Sequence, residues 1–407
     1  MNICLLTMEW PNYGGGIGTY MFNLAKGLKE YGHKVTVITH NNEPVKIDGV
    51  EMKSVPVVNG NGSLKNKVMR WRWEPHYSWS ANAFRHFTTI KDSFDIIETA
   101  EYGAWARHFI GHSNVPIVVR CHTPAKDVQE IGSNGGSNNI PLWLKNEDRY
   151  ERIQTRKAPA ISAPGYMLSN HISLNWSIPI NKIKVLPNPV DTDLFRPSTT
   201  LIKRKEILYT GRLQYNKGVF DLIDAVIPIL KEHPDLTIRL IGKDLKTPKC
   251  LNSSFKMASE EIISRVPLEN RKQVILAGWV SIQELIACQQ QAMCAVVPSR
   301  GFESFSYTLT EHMACGTAVV ATHCGGPTEI INNGEDGIIV PAGDVDALTV
   351  AIRKLINDPK LCFELGIRAR KKVEEKYAIS MVVPAIAQWY EQIIRNYQND
   401  KLCHSNI

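Results

Sequence analysis

The densest group of side chains able to do chemistry lies between Pro298 and Glu311, in the segment PSRGFESFSYTLTE. The apolar run MCAVVPS before it is typical of a buried strand. Glu303 falls in the loop after that strand, and Glu311 lies about one turn into the helix that follows. Two carboxylates thus flank a helix N-terminus, which favours anions. The two carboxylates could accept hydrogen bonds from the hydroxyl groups of a sugar and of a ribose, which lie on either side of a diphosphate bound at the helix N-terminus.

A second candidate site is the segment GRLQYNKG, which ends a predicted strand and begins a helix. Arg212 can form two parallel hydrogen bonds to phosphate oxygens, and Lys217 adds a movable positive charge. Parallel α/β sheets bind ligands at the carboxyl ends of their strands, so both cations are candidates for a diphosphate site. Taken alone the spacing is common, and solvated surface charge would explain it more often.

A third candidate is the glycine run GGGIG, residues 14–18, between the first strand and the first helix. Its backbone amides predict an anion site at the helix N-terminus. The register is not that of a dinucleotide fingerprint, because Met21 stands where the last glycine would be. No GxxxxGK[ST] motif occurs, which excludes a P-loop nucleotidase.

The elements that must position these sites alternate short β-branched runs with helical patterns in both halves of the chain. A Pro-rich stretch at 187–200 interrupts the alternation, which restarts at EILYTGR. This pattern predicts an α/β fold of two doubly wound domains. We expect an N-terminal domain at 1–195, a C-terminal domain at 196–378, and a final helix at 379–407 that could pack back on the first domain.

Composition sets the broad class. The chain has 407 residues, of which 43% are hydrophobic and 21% are charged, as in a globular protein. No window approaches about 18 uninterrupted apolar residues, and no signal peptide is evident, so we expect a cytoplasmic protein. Nine scattered cysteines without a CxxC pair indicate reduced thiols. The net charge of +7 suits an anionic ligand or an acidic membrane face.

Two further features have ordinary explanations as well as functional ones. In residues 60–90 aromatic side chains alternate with Lys65, Lys67, Arg70 and Arg72, and such a segment could contact a membrane. An insertion that packs its aromatics on its own domain is the more frequent case. The DxD triplets at 191–193 and 344–346 resemble a metal motif, but one lies in the linker and the other begins a helix with an N-cap aspartate. No metal site is expected.

Six ordered motifs make the chain resemble the retaining glycosyltransferases of family 4. They are GGGIG, RCHTP at 120–124, LPNPVDTDLF at 186–195, GRLQYNKG, the pair Glu303 and Glu311, and GGPTEIINNGEDGIIVPAGD at 325–344. The resemblance implies the GT-B fold, in which two Rossmann-like domains face a central cleft. It also implies a nucleotide-sugar donor, with a UDP-sugar as the expected one, and no cofactor, metal or nucleic-acid partner.

The resemblance assigns roles to matching residues. Arg212 and Lys217 would bind the donor diphosphate, Glu303 the sugar hydroxyls and Glu311 the ribose. His122 would lie against the donor sugar; alone, it would more often be a core histidine. The remaining donor-site residues would be Gly15, Gly16, Ser304, Phe305, Ser306, Tyr307 and Thr308. Ser306 departs from the glycine usual in the family, and LIGKDL at 240–245 replaces a glycine-rich segment.

The reaction implied is same-face attack, in which the leaving diphosphate takes the acceptor's proton. A sugar-nucleotide epimerase and a non-catalytic sugar-binding protein of the same fold are the alternatives. For the acceptor we consider Glu98, Glu101 and Tyr102, which are predicted to follow the strand FDII. Two carboxylates there would favour an amino sugar or aminocyclitol, unless they only stabilise a helix start. A lipid-linked acceptor, with peripheral membrane contact, is a further candidate.

Overall fold

A computed structural model describes residues 1–11, 15–40, 44–57, 75–90, 93–132, 142–200, 204–246 and 255–405. Contacts divide the chain into two compact units. One consists of Met1–Val128, Asn138–Pro189 and Ile379–Ile407, and the other of Gln129–Ser137 and Val190–Ala378. The division after Pro189 falls a few residues before the predicted boundary at 195, and the C-terminal helix belongs to the first unit.

The first unit contains one parallel sheet with helices around it. Its strands are β1 (Asn2–Leu6), β2 (Lys34–Thr39), β3 (Glu51–Ser54), β4 (Ile96–Ala100), β5 (Ile117–Arg120), β6 (Ala160–Ala163) and β7 (Ile183–Val185). Its helices are α1 (Gly16–Glu30), α2 (Pro75–Thr89), the first half of α3 (Ala125–Gly132), α4 (Leu142–Lys157) and α5 (Tyr166–Trp176). The strand order is β3-β2-β1-β4-β5-β6-β7. Helices cover both faces of such a sheet, so the residues of β1, β4 and β5 are almost all buried, and most of them are apolar.

The second unit repeats this architecture. Its strands are β8 (Arg204–Thr210), β9 (Thr237–Ile241), β10 (Val274–Gly278), β11 (Ala292–Val297), β12 (Ala318–His323) and β13 (Ile338–Pro341). Its helices are α6 (Val219–Glu232), α7 (Ala258–Arg265), α8 (Ile282–Gln291), α9 (Tyr307–Ala314), α10 (Pro327–Ile330), α11 (Val345–Asn357) and α12 (Pro359–Lys376). The parallel strands follow the order β10-β9-β8-β11-β12-β13. The predicted fold of two doubly wound α/β domains is confirmed.

The last helix, α13 (Ile379–Ser405), packs on α1. Gly27 of α1 makes this contact close, because a Cβ atom there would lie 2.6 Å from a methyl group of Val383 and 2.7 Å from one of Ile379. No helix in the described ranges combines the length and apolar character needed to cross a membrane. The cysteines within those ranges are all free thiols.

Two sequence expectations find their explanation in local structure. The Asp344 carboxylate accepts a hydrogen bond from the Ala347 backbone N–H at 2.9 Å, so this aspartate is the predicted N-cap, here of α11. Residues 60–74 of the aromatic segment, which include the four cations Lys65, Lys67, Arg70 and Arg72, lie outside the described residues. Of the remaining residues of the segment, Pro75–Thr89 form α2. In this helix Trp79 is fully buried and donates a hydrogen bond to the Val55 carbonyl at 2.9 Å.

Candidate active site

The predicted donor residues of the second unit converge on the carboxyl edge of its sheet. Strands β8 and β11 are neighbours, and the chain leaves them in opposite directions, toward β9 and β12. The loops after β8 and β11 therefore diverge and leave a crevice at this switch point, the place where open α/β sheets bind ligands. Arg212 and Lys217 follow β8, and Glu303 follows β11.

Lys217 and Glu303 are brought together directly. The Lys217 ammonium forms an ion pair with Glu303 Oε1, and the Ser299 hydroxyl donates a hydrogen bond to the same oxygen at 2.8 Å. Both charged side chains are partly exposed, at 26% for Lys217 and 17% for Glu303. The pair joins the two loops of the switch point and remains open to ligands. Sequence reasoning had assigned no role to Ser299.

Arg300 is a positioning residue that sequence reasoning missed. Its guanidinium forms two hydrogen bonds of 2.5 Å to the carboxylate of Asp221 on α6, and it also donates to the Tyr215 hydroxyl. The guanidinium carbon lies 4.5 Å from the centre of the Tyr215 ring. These bonds hold the loop after β11 on the N-terminus of α6, which fixes Glu303 beside Lys217. The sequence feature that could have indicated this role is Asp221, an acidic residue in the first turn of α6.

Gly218 makes the meeting of the two loops sterically feasible. It is the N-cap of α6 and adopts φ of +68°, and a Cβ atom there would lie 1.8 Å from the Pro298 carbonyl oxygen. Both the backbone conformation and this contact exclude a side chain.

We expect Gly218→Ala to destabilise the second unit and to separate Lys217 from Glu303. The expected observation is a melting temperature lower by several degrees together with loss of donor binding. Gly334→Ala is the matched control, since Gly334 also has positive φ, at +81°, but nothing lies within 4 Å of a Cβ atom there. Equal effects of the two substitutions would show that the close approach is unimportant.

Glu311 lies in the second turn of α9 and is partly buried. Burial raises its pKa to about 7. Leu309 and Met313 of the same helix are fully buried and belong to the core. A carboxyl with this pKa is half-ionised near neutral pH, and hydrogen-bond donors from a ligand would favour its charged form.

The N-terminus of α9 is capped by Ser306, whose hydroxyl accepts a hydrogen bond from the Leu309 N–H at 3.3 Å. Phe305 packs against Tyr307 and Tyr377, with ring centroids 5.3 and 5.9 Å apart. These rings support the turn from within. Ser306 is buried, whereas Ser304, Phe305, Tyr307 and Thr308 are partly exposed, and contact between these five residues and a donor stays a prediction. Arg212 is exposed, and its guanidinium makes no hydrogen bond or ion pair with the described residues.

His122 follows β5 in the first unit and is 5% exposed. Its backbone N–H donates to Glu101 Oε1 at 2.8 Å, and its ring lies edge-on to Tyr20 with centroids 5.1 Å apart. Burial and the nearby Arg120 charge lower its pKa well below the usual range, so the imidazole is neutral. Its Nε2 atom is buried and has no partner among the described residues. A neutral imidazole with one open nitrogen can bind a hydroxyl group.

The predicted anion site at the N-terminus of α1 already holds a carboxylate. Gly15 is the N-cap, and its N–H donates to Glu9 Oε2 at 2.9 Å, while Gly16 begins the helix. A phosphate could reach the Gly15 amide only if the Glu9 carboxylate moved away, because two anions cannot share one N–H donor.

The predicted position of Glu98 is wrong. It lies within β4 and is 1% exposed, and its two carboxylate oxygens accept hydrogen bonds from Tyr20, at 2.7 Å, and from Tyr390 of α13. Burial raises its pKa, although the bonds from both tyrosines and the Arg120 charge oppose this shift. Glu98 therefore joins three elements of the first unit and offers nothing to an acceptor.

Glu101 does follow the strand, but it is completely buried. Burial raises its pKa to about 8, and its bond to the His122 N–H makes it part of the support for that loop. Trp105 is also fully buried and donates to His76. Tyr102 alone of the three predicted acceptor residues is partly exposed. The basis for preferring a cationic acceptor is thereby removed.

A structural role for Glu98 predicts a stability effect. Tyr390→Phe should leave a buried carboxylate oxygen without its donor and lower the free energy of unfolding by about 1–3 kcal/mol. Chemical denaturation would measure this, with Tyr397→Phe as control, because the Tyr397 hydroxyl donates only a long hydrogen bond, of 3.5 Å to the Ser113 carbonyl, within the described residues. Unchanged stability of Tyr390→Phe, together with a raised acceptor KM of Glu98→Gln, would instead restore Glu98 as an acceptor residue.

Comparison with known families agrees with this geometry. Residues 191–372 match the family described as "Glycosyl transferases group 1", and residues 14–194 match "Glycosyltransferase Family 4". The chain therefore belongs to the group 1 glycosyltransferases and is a glycosyltransferase of the family 4 type.

Individual relatives align over almost the whole chain. The MMP alpha-(1->4)-mannosyltransferase of Mycolicibacterium hassiacum is 24% identical, with 97% of this chain and 98% of that protein covered. Among solved structures, sucrose-phosphate synthase from Thermosynechococcus elongatus superposes with a TM-score of 0.76 at 20% identity, covering 97% of this chain and all of that one. Anabaena Alr3699/HepE in complex with UDP-glucose gives 0.69 at 17% identity, covering 96% and 100%. These structures confirm the GT-B fold.

Proposed function

We propose that this protein is a retaining glycosyltransferase that moves a sugar from a nucleotide-diphosphate donor to a hydroxyl group of an acceptor. The observation that carries the proposal is the Lys217–Glu303 ion pair at the switch point of the second sheet. The cation can bind the anionic diphosphate of a nucleotide sugar. The carboxylate beside it can accept hydrogen bonds from the neutral, hydroxyl-rich sugar.

Each group has a distinct task in this proposal. Arg212 and Lys217 bind the diphosphate, and the N-terminus of α9 adds partial positive charge beside it. Glu303 accepts hydrogen bonds from the sugar hydroxyls, and Glu311 accepts them from the ribose. In the absence of donor, Lys217 and Glu303 neutralise each other. When the donor binds, its diphosphate contacts Lys217 and its sugar hydroxyls contact Glu303. Each charge therefore exchanges its partner in the ion pair for a contact with the donor, and neither is left unpaired.

The reaction proceeds by attack on the face from which the leaving group departs. The bond between the anomeric carbon and the diphosphate oxygen breaks, and the acceptor oxygen bonds to the same carbon. The acceptor's proton passes to the diphosphate oxygen. Arg212, Lys217 and the α9 N-terminus stabilise the negative charge that grows on the leaving group. His122, held neutral by burial, orients a sugar hydroxyl without adding charge.

A UDP-sugar is the proposed donor. The support is the solved GT-B structure of Alr3699/HepE, which is a complex with UDP-glucose. The acceptor is a sugar, cyclitol or lipid-linked alcohol, because the mechanism requires a hydroxyl group that attacks the anomeric carbon. No metal takes part in this scheme, because two side-chain cations and a helix N-terminus offset the diphosphate charge.

A panel of UDP-, GDP- and ADP-sugars, analysed by mass spectrometry with and without EDTA, tests the proposal. We expect one nucleotide family to be consumed, with transfer to an added alcohol or sugar and unaffected turnover in EDTA. Conversion of the donor into an epimeric sugar without any acceptor would identify the epimerase alternative. Binding without turnover of any donor, in the presence of varied acceptors, would favour the non-catalytic alternative.

A further inference from the structure

Helix α4 (Leu142–Lys157) of the first unit has an exposed face that no role described above uses. The basic residues of α4 lie on its exposed side, and the acidic residues lie on its buried side. Five cations lie on or beside the exposed face: Lys145, Arg149, Arg152, Arg156 and Lys157. None of the five forms an ion pair with an acid among the described residues.

The acidic residues of the same helix point inward. Glu147 is 2% exposed and pairs with Arg107 at 3.5 Å, and Glu151 is fully buried, where it accepts hydrogen bonds from the backbone N–H groups of Gly103 and Ala125. The third acid, Asp148, is partly buried and accepts a bond from Trp176 of α5 at 3.3 Å. The outward charge of α4 is therefore positive along its whole length of 16 residues.

Apolar side chains share this cationic face. Leu142 and Trp143 begin the helix and are 60% and 49% exposed, and Ile153, in the middle of the cationic row, is 37% exposed. Single exposed apolar residues are normal on a protein surface. Here, three of them lie among five cations that have no acidic partner within the described parts of the chain, and this is the composition of a helix that lies in the interface of an anionic bilayer.

We propose that the exposed face of α4 binds the surface of a membrane that contains anionic lipids. The cations would lie over the lipid phosphates, and Leu142 and Trp143 would enter the headgroup region, where Trp is favoured. A nucleic acid would also attract the cations, but it would gain nothing from exposed leucine and isoleucine. This inference is independent of the proposed reaction, because none of its residues belongs to the donor site.

Sedimentation of the full-length protein with sucrose-loaded vesicles tests the inference. Vesicles of phosphatidylcholine with about 30% phosphatidylglycerol should bind the protein, whereas pure phosphatidylcholine should bind it far more weakly, and about 0.5 M NaCl should release most of it. Lys145→Gln/Arg149→Gln should weaken binding about 30-fold, since each cation near such a surface contributes roughly fivefold. Trp143→Ala should weaken binding without changing the salt dependence.

Lys360→Gln/Lys371→Gln is the matched control. These lysines of α12 are 86% and 71% exposed, and their replacement changes the net charge equally. The control should bind vesicles like the wild type, and unchanged melting temperatures should show that all variants are folded. Absence of binding to anionic vesicles, or equal losses in the two double variants, would overturn the inference. Tight binding of a fluorescent single-stranded DNA that depends on Lys145 and Arg149, without vesicle binding, would overturn it in favour of a nucleic-acid surface.

Discussion

Lys217→Ala is expected to lower kcat/KM for the donor by at least about 100-fold, because it removes a charge that stabilises the leaving diphosphate in the transition state. The loss should appear mainly in kcat, since the charge on the leaving group grows during bond cleavage. Steady-state rates with the donor found in the panel, at saturating acceptor, would measure it. Arg212→Ala should behave in the same way.

Two comparisons separate this catalytic effect from damage to the ion pair. Glu303→Gln also breaks the pair with Lys217, but it keeps a hydrogen-bonding side chain beside Ser299. If the pair served only to join the loops, Lys217→Ala and Glu303→Gln would lower the melting temperature equally and leave kcat close to that of the wild type. Lys360→Ala, an exposed lysine remote from the site in sequence, should leave both quantities unchanged.

The second large effect is a pH dependence of donor binding that originates in Glu311. The pKa of this carboxyl is raised to about 7 by burial, so below that pH the free protein holds a proton on it. Ribose hydroxyls donate best to the ionised form, and binding below the pKa must therefore release the proton. Donor affinity should rise about tenfold as the pH increases from about 6 to about 8, and it should level off once Glu311 is ionised.

Calorimetric titration with an intact nucleotide sugar across this pH range would measure the effect. Glu311→Gln cannot ionise, so its affinity should be independent of pH and close to that of the protonated wild type. The same pH dependence in Glu311→Gln and the wild type would assign the proton to another group and remove Glu311 from the ribose site.

The fold and the positions of the predicted donor residues could be derived from the sequence because their signals are local. Buried parallel strands contain short apolar runs, such as residues 117–119 in β5 and residues 207–209 in β8, and glycines, cations and carboxylates at their carboxyl ends follow within a few positions. The carboxyl ends of parallel strands share one edge of the sheet. Residues as far apart in sequence as Lys217 and Glu303 could therefore be expected near one another, and they are in contact.

The prediction of acceptor residues failed because the relevant contacts are not local in sequence. Glu98 looked like the first polar residue after a strand, but β4 continues to Ala100 and the carboxylate is compensated by phenols from α1 and α13. Tyr390 is 292 positions away in sequence, and no local pattern shows that its hydroxyl reaches a buried carboxylate. Arg300 was missed in the same way, since its bonds to Asp221 depend on the packing of two loops.

Direct titration of nucleoside diphosphates is the most decisive test of the central assignment, that the switch point of the second sheet binds the diphosphate of a nucleotide sugar. UDP, GDP and ADP would be titrated separately into the wild type and into Arg212→Ala/Lys217→Ala. We expect one of them, UDP by the present proposal, to bind the wild type, and its affinity for the folded double variant to fall at least about 100-fold, since each charge-assisted contact contributes about 1.5–3 kcal/mol. Equal affinity in the two proteins, or no binding of any nucleoside diphosphate to the wild type, would contradict the assignment.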